Sequence, residues 1–477
     1  MDLYEHLQAY AEQGKTPMHM PGHKRNASFF MKNPYEWDVT EVEGTDNLYH
    51  PREILSREMD RLRLHYGTKD SYLLVNGSTG GILAAIASCC RRGDRILVAR
   101  NCHQSVYHAM FLLELTPVYL YPREDSHTGI LLDISPERVA EALEREMVSC
   151  VVLTSPTYEG IVSDIGAIAD ICHGKDIPLI VDEAHGAHFA WGQQFPRTAM
   201  QQGADLVIES LHKTLPSLTQ TALLHRTSDR ISGEALMHYL ALFQTSSPSY
   251  VLMASISQCM SWLESQGDAG WADYDRRLSD FEEQAATWHY LQLWRGAGQE
   301  RSKLVVGTWK TTLTGVQLAA RLRNEYGIEV EMAAPHYILA MTSVADTRES
   351  LQRLAKALSQ IDDALSAAAW CHPGKSRKIN AMASGKTGFV AVGMPKTIVH
   401  MNAYEAFYHP QESVRVEKCQ GRISAEYVSV YPPGIPFLVP GEEITAEVIE
   451  AFQRAVEYGL TLSGPVDETG CYIRVCQ

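Results

Sequence analysis

The sequence predicts an α/β protein: a mostly parallel sheet with helices on both faces, followed by smaller α/β units. Three observations predict it. Short apolar runs alternate with helical patterns from Ser71 to about His225, several runs end on polar or glycine-rich turns, and the 477 residues, 45% of them hydrophobic, suffice for about three compact units with a real core.

In chain order, residues 72–75, 95–99, 117–121, 150–153, 179–182, 206–209 and 221–225 read as strands, and residues 80–90, 105–113, 136–147, 165–173 and 198–202 as the helices between them. In such a sheet, ligands sit at the carboxyl ends of the strands. From 231 to about 293, apolar residues recur at helical spacing (Leu236, Leu240, Phe243; Leu252, Ile256, Met260), which predicts several helices linking two domains. A strand at 304–306, a helix at 314–326, strands at 328–332 and 337–341 and a helix at 347–365 predict a small α/β sandwich. A loop-rich stretch from 371 to 388 leads into a last unit. The expected division is an N-terminal arm and lead-in over 1–70, a large domain with trailing linker helices over 71–295, a small α/β domain over 296–370 and a C-terminal domain over 371–477.

Composition narrows the function. The formal charge is −15, from 57 acidic against 42 basic residues, and no lysine/arginine block can track a phosphate backbone, so nucleic acid is not an expected partner. Ten cysteines occur without a Cys-x-x-Cys pair, which fits reduced thiols rather than a metal or disulfide framework. Met1-Asp2-Leu3-Tyr4-Glu5-His6 has no secretory pattern, and no run of about 18 apolar residues occurs. A cytoplasmic protein without membrane partners is expected.

Four strand ends carry chemistry. After the first, Asn76-Gly77-Ser78-Thr79-Gly80-Gly81 opens a helix, so small residues, two hydroxyls and a helix N-terminus are available to a phosphate. A tight strand-to-helix turn uses the same residues, so this signal is weak alone. After the next, Asn101-Cys102-His103-Gln104-Ser105 presents His103, either as a flat ring for a cofactor to lie on or as part of a helix cap.

Asp182 closes the run Ile180-Val181-Asp182, and a carboxylate at a buried strand end is costly unless a cation meets it. A protonated pyridine nitrogen is such a cation, and Ala184 is small enough to lie against the other face of its ring. Asp182, His185 and His188 also suggest a metal site, but no further ligand cluster supports one, and none is expected. The last strand ends in Ser210-Leu211-His212-Lys213, 31 positions after Asp182 (213 − 182). An amine for an imine and a carboxylate for a ring nitrogen are what pyridoxal 5'-phosphate requires, and Ser210 and His212 can face its phosphate. Ser384-Gly385-Lys386-Thr387 mimics the end of a nucleotide-binding loop, but Asn380 stands where the earlier glycine is needed.

With these residues in place, nearly the whole chain resembles the ornithine/lysine/arginine decarboxylase family of fold-type-I pyridoxal-phosphate enzymes, in its short bacterial form. The resemblance rests on Met20-Pro21-Gly22-His23-Lys24, Gly44-Thr45-Asp46-Asn47-Leu48, the glycine-rich turn, Asp182-Glu183-Ala184-His185-Gly186, Ser210-Leu211-His212-Lys213, Tyr431-Pro432-Pro433-Gly434-Ile435-Pro436 and Pro440-Gly441-Glu442. It implies a fold-type-I large domain. It also implies that Gly77, Ser78, Thr79, Ser210 and His212 hold the phosphate, His103 stacks on the ring with Ala184 and His185 beside it, Asp182 binds the nitrogen and Lys213 forms the imine. Decarboxylation of a basic L-amino acid follows, with Lys213 or His212 returning a proton to the α-carbon.

Arginine, giving agmatine, comes first because the short bacterial relatives include arginine decarboxylases; lysine and ornithine come next. Glu426 matches a family glutamate and is the expected contact for the substrate's distal cation, with Asp46 and Glu183 as further candidates. The larger family members carry an N-terminal wing domain before the Pro-Gly-His segment, which here begins twenty residues in, so a homodimer, with a tetramer as its next assembly, is expected instead of a decamer. The rivals are another fold-type-I enzyme, such as an aminotransferase or an oxoamine synthase, and an inactive cofactor-binding homologue. An aminotransferase needs an arginine for the α-carboxylate, for which Arg415 and Arg422 are available.

Overall fold

Successive residues of a strand point to opposite faces, so a strand apolar on both faces is buried on both. The computed structural model describes residues 2–29, 33–371, 394–431, 434–458, 460–464, 467 and 471–477. Residues 372–388 of the expected linker, with Ser384-Gly385-Lys386-Thr387, and Pro432-Pro433 lie outside them. After an N-terminal helix (Leu3–Glu12) comes β1 (Thr16–Met18). The large sheet follows, with β2 (Asp70–Leu74), β3 (Arg95–Ala99), β4 (Thr116–Leu120), β5 (Val151–Thr154), β6 (Leu179–Asp182), β7 (Leu206–Glu209) and β8 (Ala222–Arg226).

Its order is β2-β8-β7-β6-β5-β3-β4, parallel except that β8 runs against both β7 and β2. Two reversals restore direction, so β2 ends on the same edge as β3, β5, β6 and β7. Alternate residues feed two cores. Leu73, Leu97, Leu153, Val181 and Val207 face one layer of helices, whereas Leu74, Val98, Val152, Ile180 and Ile208 face the other. Each such side chain contributes about 1.5–3 kcal/mol of burial.

The expected mostly parallel α/β class is observed. Strands 95–99, 179–182 and 206–209 fall where the sequence places them, and others shift by one or two residues. The expected helix at 198–202 is only a 3-10 turn, Met200–Gln202, because Gly203 at φ 98° ends it within one turn. The expected helix at 80–90 starts earlier, at Gly77 (φ 65°), a left-handed conformation that glycine adopts at little cost.

The linker is a helix Gly233–Phe243 and a long helical run Tyr250–Ala285, broken at Gly267. The first part of that run (Met253, Ile256, Met260) packs into the large domain's core, and its end (Phe281, Ala285) into the core of the next unit. There, β9 (Gln292–Trp294), β10 (Lys303–Gly307), β11 (Ile328–Val330), β12 (Met332–Ala333) and β13 (Tyr337–Met341) occur with helices Gly315–Tyr326 and Arg348–Cys371. The sheet is β12-β13-β10-β9, and helices cover one face through Leu304, Val306, Leu318 and Leu354. Its other face (Val305, Leu339, Met341) packs against Met20 and Tyr158, beside the carboxyl edge of the large sheet.

The strand expected at 328–332 breaks at Glu331. β11 pairs with β1, whereas β12 pairs with β13. The last unit adds the antiparallel pair Gln411–Arg415 with Tyr472–Cys476, a three-stranded sheet and a helix Ala446–Glu457. It is fixed to the end of β3 by Arg100. This guanidinium donates to Tyr107 Oη at 2.7 Å, to the Pro436 carbonyl at 2.5 Å and to Glu442 Oε2 at 3.1 Å, with both charged side chains fully buried. Glu442 of the Pro-Gly-Glu motif is thus a domain anchor.

Candidate active site

Because β2, β3, β5, β6 and β7 end on one edge, the turns that follow them meet there. Asp182 is buried at the end of β6, and its Oδ1 accepts from the Ala184 N–H at 3.1 Å. Burial raises its carboxyl above the ordinary range, opposed by the Lys213 ammonium and the Ala184 N–H. Lys213 stands on the one-turn helix Leu211–Thr214 after β7, and its Nζ lies 3.0 Å from His185 Nε2. Burial lowers its basicity, while Asp182 and Glu331 oppose that.

The turn carrying Lys213 is braced from the N-terminus. Gly22 N–H donates to the His212 carbonyl at 2.7 Å, and a Cβ on Gly22 would lie 2.6 Å from the Leu215 carbonyl oxygen. Lys24 Nζ donates to the carbonyls of His19 (2.8 Å) and Met341 (2.7 Å). The Pro-Gly-His-Lys motif therefore clasps the lysine turn to the small domain.

The two remaining imidazoles are neutral. Burial, with Lys213 and His108 adding to it, lowers His103 to about 3. Its Nδ1 accepts from the Ser105 N–H at 3.2 Å, so it caps the following helix while its ring stands at the sheet edge. Burial lowers His212 to about 4 against the pull of the Thr221 carbonyl. That carbonyl lies 3.0 Å from His212 Nδ1, which places the proton of the neutral ring on Nδ1 and a lone pair on Nε2.

Polar atoms without protein partners gather here. Ser210 Oγ, Thr214 Oγ1, His185 Nδ1, Thr154 Oγ1 and Asn101 Oδ1 are buried and make no hydrogen bond among the described residues. Asn76 gives no side-chain cap to the helix Gly77–Cys89, whose first-turn N–H groups have no intrahelical partner, and nothing lies within 4 Å of the Cβ position of Gly77. A phosphate with its ring fits this donor set: hydroxyls at Ser78, Thr79 and Ser210, a helix N-terminus, a neutral flat ring at His103, a small side chain at Ala184 and a buried acid at Asp182.

The carboxylates expected at the substrate's cation do not join this group within one chain. Asp46 Oδ2 accepts from the N–H groups of Glu53 (2.8 Å) and Leu55 (3.1 Å). Burial works against this carboxyl, yet these and the Asn47 and Arg52 N–H groups bring it down to about 2. It shapes its own loop. Glu183, though next to Asp182 in sequence, turns away: Oε1 accepts from Ala199 N–H at 2.9 Å, and the side chain faces Glu209, where burial raises both carboxyls well above the ordinary range. A residue after a strand end points opposite to its neighbour, which corrects the expectation for Glu183. Glu426 lies in the last unit, 3.3 Å from Arg474. Arg422 pairs with Glu412, and Arg415 stacks on Tyr472, so neither arginine reaches Lys213. His188 turns to Glu300, 3.4 Å away. Among the described residues, no three His, Cys, Asp or Glu side chains gather as a metal site, and no helix is long and apolar enough to cross a membrane.

Sequence reasoning missed four residues. Thr154 lies opposite Asp182 in the ladder and closes the apolar strand β5, the signal that singled out Asp182, whereas Asn101 comes two residues after the end of β3. Lys303 and Glu331 come from the small domain. Lys303 is fully buried, with an Nζ that makes no hydrogen bond among the described residues. Burial lowers it to about 8, opposed by Glu300, and Lys213 pushes in the same direction as burial.

Residues 1–290 match the family model described as "Orn/Lys/Arg decarboxylase, major domain", and residues 389–464 match "Orn/Lys/Arg decarboxylase, C-terminal domain". The chain belongs to the Orn/Lys/Arg decarboxylase family. Within it, the chain is 30% identical to a Bacillus subtilis protein named arginine decarboxylase, over 99% of this chain and 97% of that one. It is 23% identical to the inducible lysine decarboxylase of Escherichia coli K12, over 98% of this chain and 79% of the other. Among solved structures it superposes on the Francisella novicida lysine decarboxylase with a TM-score of 0.77, at 19% identity over 96% of this chain and 77% of that one. The fold also extends to a Bacillus subtilis ureidoglycine–glyoxylate aminotransferase, with a TM-score of 0.58 at 13% identity over 74% of this chain and 94% of that one.

Proposed function

We propose that the chain is a pyridoxal-phosphate-dependent decarboxylase of basic L-amino acids, converting arginine to agmatine and carbon dioxide, with lysine and ornithine as its next substrates. The observation that carries this reading is the meeting of Asp182 and Lys213 at neighbouring strand ends, in a family of Orn/Lys/Arg decarboxylases whose similar members include several named arginine decarboxylase.

In this reading, Lys213 makes the covalent link and Asp182 holds a proton on the ring nitrogen. His103 and Ala184 flank the ring, His185 lies at its edge, and Gly77, Ser78, Thr79, Ser210 and His212 hold the phosphate. The bound cofactor supplies the electron sink that lets the α-carboxylate leave as carbon dioxide. Lys213 Nζ then returns a proton to the α-carbon, or His212 does so once its Nε2, a lone pair in the neutral ring, has taken one up. Burial suits both tasks, since it keeps Lys213 nucleophilic and Asp182 close to a cation.

The division at residues 70, 295 and 370 is kept, with each active site near the interface of a homodimer that can pair further into a tetramer. Exposed apolar side chains on the N-terminal arm support the dimer: Tyr35 is 86% exposed and Val42 53%, and Leu3 and Tyr4 stand out on the first helix. A cytoplasmic setting, where agmatine serves polyamine synthesis, fits the unpaired cysteines.

Purified protein with added pyridoxal phosphate, offered arginine, lysine and ornithine separately, tests the reading by amine product. Agmatine forming fastest supports it. A keto acid instead of an amine points to an aminotransferase, and cofactor binding without any product points to the inactive homologue.

A further inference from the structure

A strand that changes partners leaves one residue between two ladders. β11 stays with β1 as far as Val330, β12 joins β13 from Met332, and Glu331 stands between them. Its carboxylate is held by two neutral donors from distant parts of the chain: the Tyr158 hydroxyl on Oε1 at 2.5 Å and the Met20 N–H on Oε2 at 2.8 Å. These donors fix its position without neutralising it.

The surrounding charges pair off. Lys24 lies 3.9 Å from Asp346, Lys303 has Glu300 as its main opposite charge, and Lys213 has Asp182. Glu331 acts electrostatically on all three lysines, yet among the described residues it forms no ion pair of its own. Asp346 faces Lys24 and Arg277, Glu300 faces His188 and Lys303, and Asp182 faces Lys213, whereas the hydrogen bonds to Glu331 among the described residues come from neutral donors. A basic amino acid brings the missing cation on its side chain.

Glu331 influences Lys213, to whose nitrogen position the substrate's α-amino group must come, without forming an ion pair with it among the described residues. A basic amino acid carries its terminal cation three or four methylenes away from the α-carbon, so its two ends need separate partners. The alternatives are committed: Asp46 to backbone N–H groups, Glu183 to Ala199 and Glu209, and Glu426 to Arg474.

We propose that Glu331 is the specificity-determining carboxylate that receives the side-chain cation of the substrate, an assignment that rests on the decarboxylase reading above. Its position makes the small domain a sensor of side-chain charge, while the large domain performs the chemistry. A guanidinium would find two carboxylate oxygens, each with one lone pair already engaged and one left over.

Glu331→Gln keeps a carbonyl acceptor for the two neutral donors and removes the charge; Tyr158→Phe removes one donor and keeps the charge. The expected result for Glu331→Gln is a KM for arginine raised about 10- to 100-fold, the range of a charge-assisted hydrogen bond, with kcat changed much less. Agmatine binding, measured by calorimetry on the cofactor-loaded enzyme, should weaken by a similar factor while the visible spectrum without substrate stays the same. Wild type should prefer arginine to citrulline, its uncharged isostere, and Glu331→Gln should lose most of that preference.

Unchanged KM and preference in Glu331→Gln, with wild type active on arginine, overturn this assignment alone. So does a loss that Tyr158→Phe reproduces equally for arginine and citrulline, which would make Glu331 a strut, or a KM effect found in Glu426→Gln and absent from Glu331→Gln. Wild type that releases carbon dioxide from none of the three basic amino acids overturns the decarboxylase reading together with this one.

Discussion

Arg100 follows β3 and Lys213 follows β7 on the same sheet edge, and the two are treated in opposite ways. The Arg100 guanidinium is fully buried and met by a phenol, a carbonyl and the carboxylate of Glu442. Lys213, by contrast, has a neutral imidazole as its hydrogen-bond neighbour and an aspartate whose own charge burial disfavours. The first arrangement fixes a domain in place; the second leaves an amine with unsatisfied chemistry. A buried cation is thus structural or reactive according to how completely the chain itself answers it.

The largest expected effect lies on the reactive side. Lys213→Ala should lower turnover on the order of 10³-fold or more and abolish the cofactor's visible band, read by absorbance and product assay. On the structural side, Glu442→Ala strands Arg100 and should cost about 3–5 kcal/mol of stability in a urea titration. Its kcat per folded molecule should stay close to wild type, because Arg100 anchors the last unit and does not touch the site. If kcat collapses while stability holds, the distinction between the two cations fails. Asp182→Asn should lower kcat on the order of 10²- to 10³-fold with the fold intact, since an amide carries no charge to hold a proton on the ring nitrogen.

The smallest effect concerns pH. His225 is fully buried, and burial lowers it to about 3. As pH falls below about 6.5, the unfolded chain binds a proton there and the folded chain does not, so the group removes about 2 kcal/mol of stability at pH 5. His103 and His212 act in the same direction, whereas the raised carboxyls of Glu183 and Glu209 act in the opposite one. The clean measurement is a difference: between pH 7 and 5, wild type should lose about 2 kcal/mol more than His225→Gln. Parallel pH profiles would contradict it.

What the sequence made legible follows the same division. Asp182 and Lys213 stood out because a charged residue closing an apolar strand is anomalous locally, and the seven strands stood out by their runs. The antiparallel placement of β8 was not legible, since strand direction depends on partners far away in sequence. Glu183 was misread because a motif neighbour of a site residue need not share its face. Glu331 was hidden in what reads as an ordinary alternating strand, Ile328-Glu329-Val330-Glu331-Met332. Its position became meaningful only when that strand was seen to change sheets, with Met20 and Tyr158 closing on it. Lys303, likewise, opens an apolar strand, and its burial beside Lys213 is purely tertiary.

The most direct test is carbon dioxide release from carboxyl-labelled arginine, compared between wild type and Lys213→Ala. Wild type should release one carbon dioxide for each agmatine formed, and Lys213→Ala should release none above background. Keto acid formation without labelled carbon dioxide, or equal release by Lys213→Ala, would contradict the account.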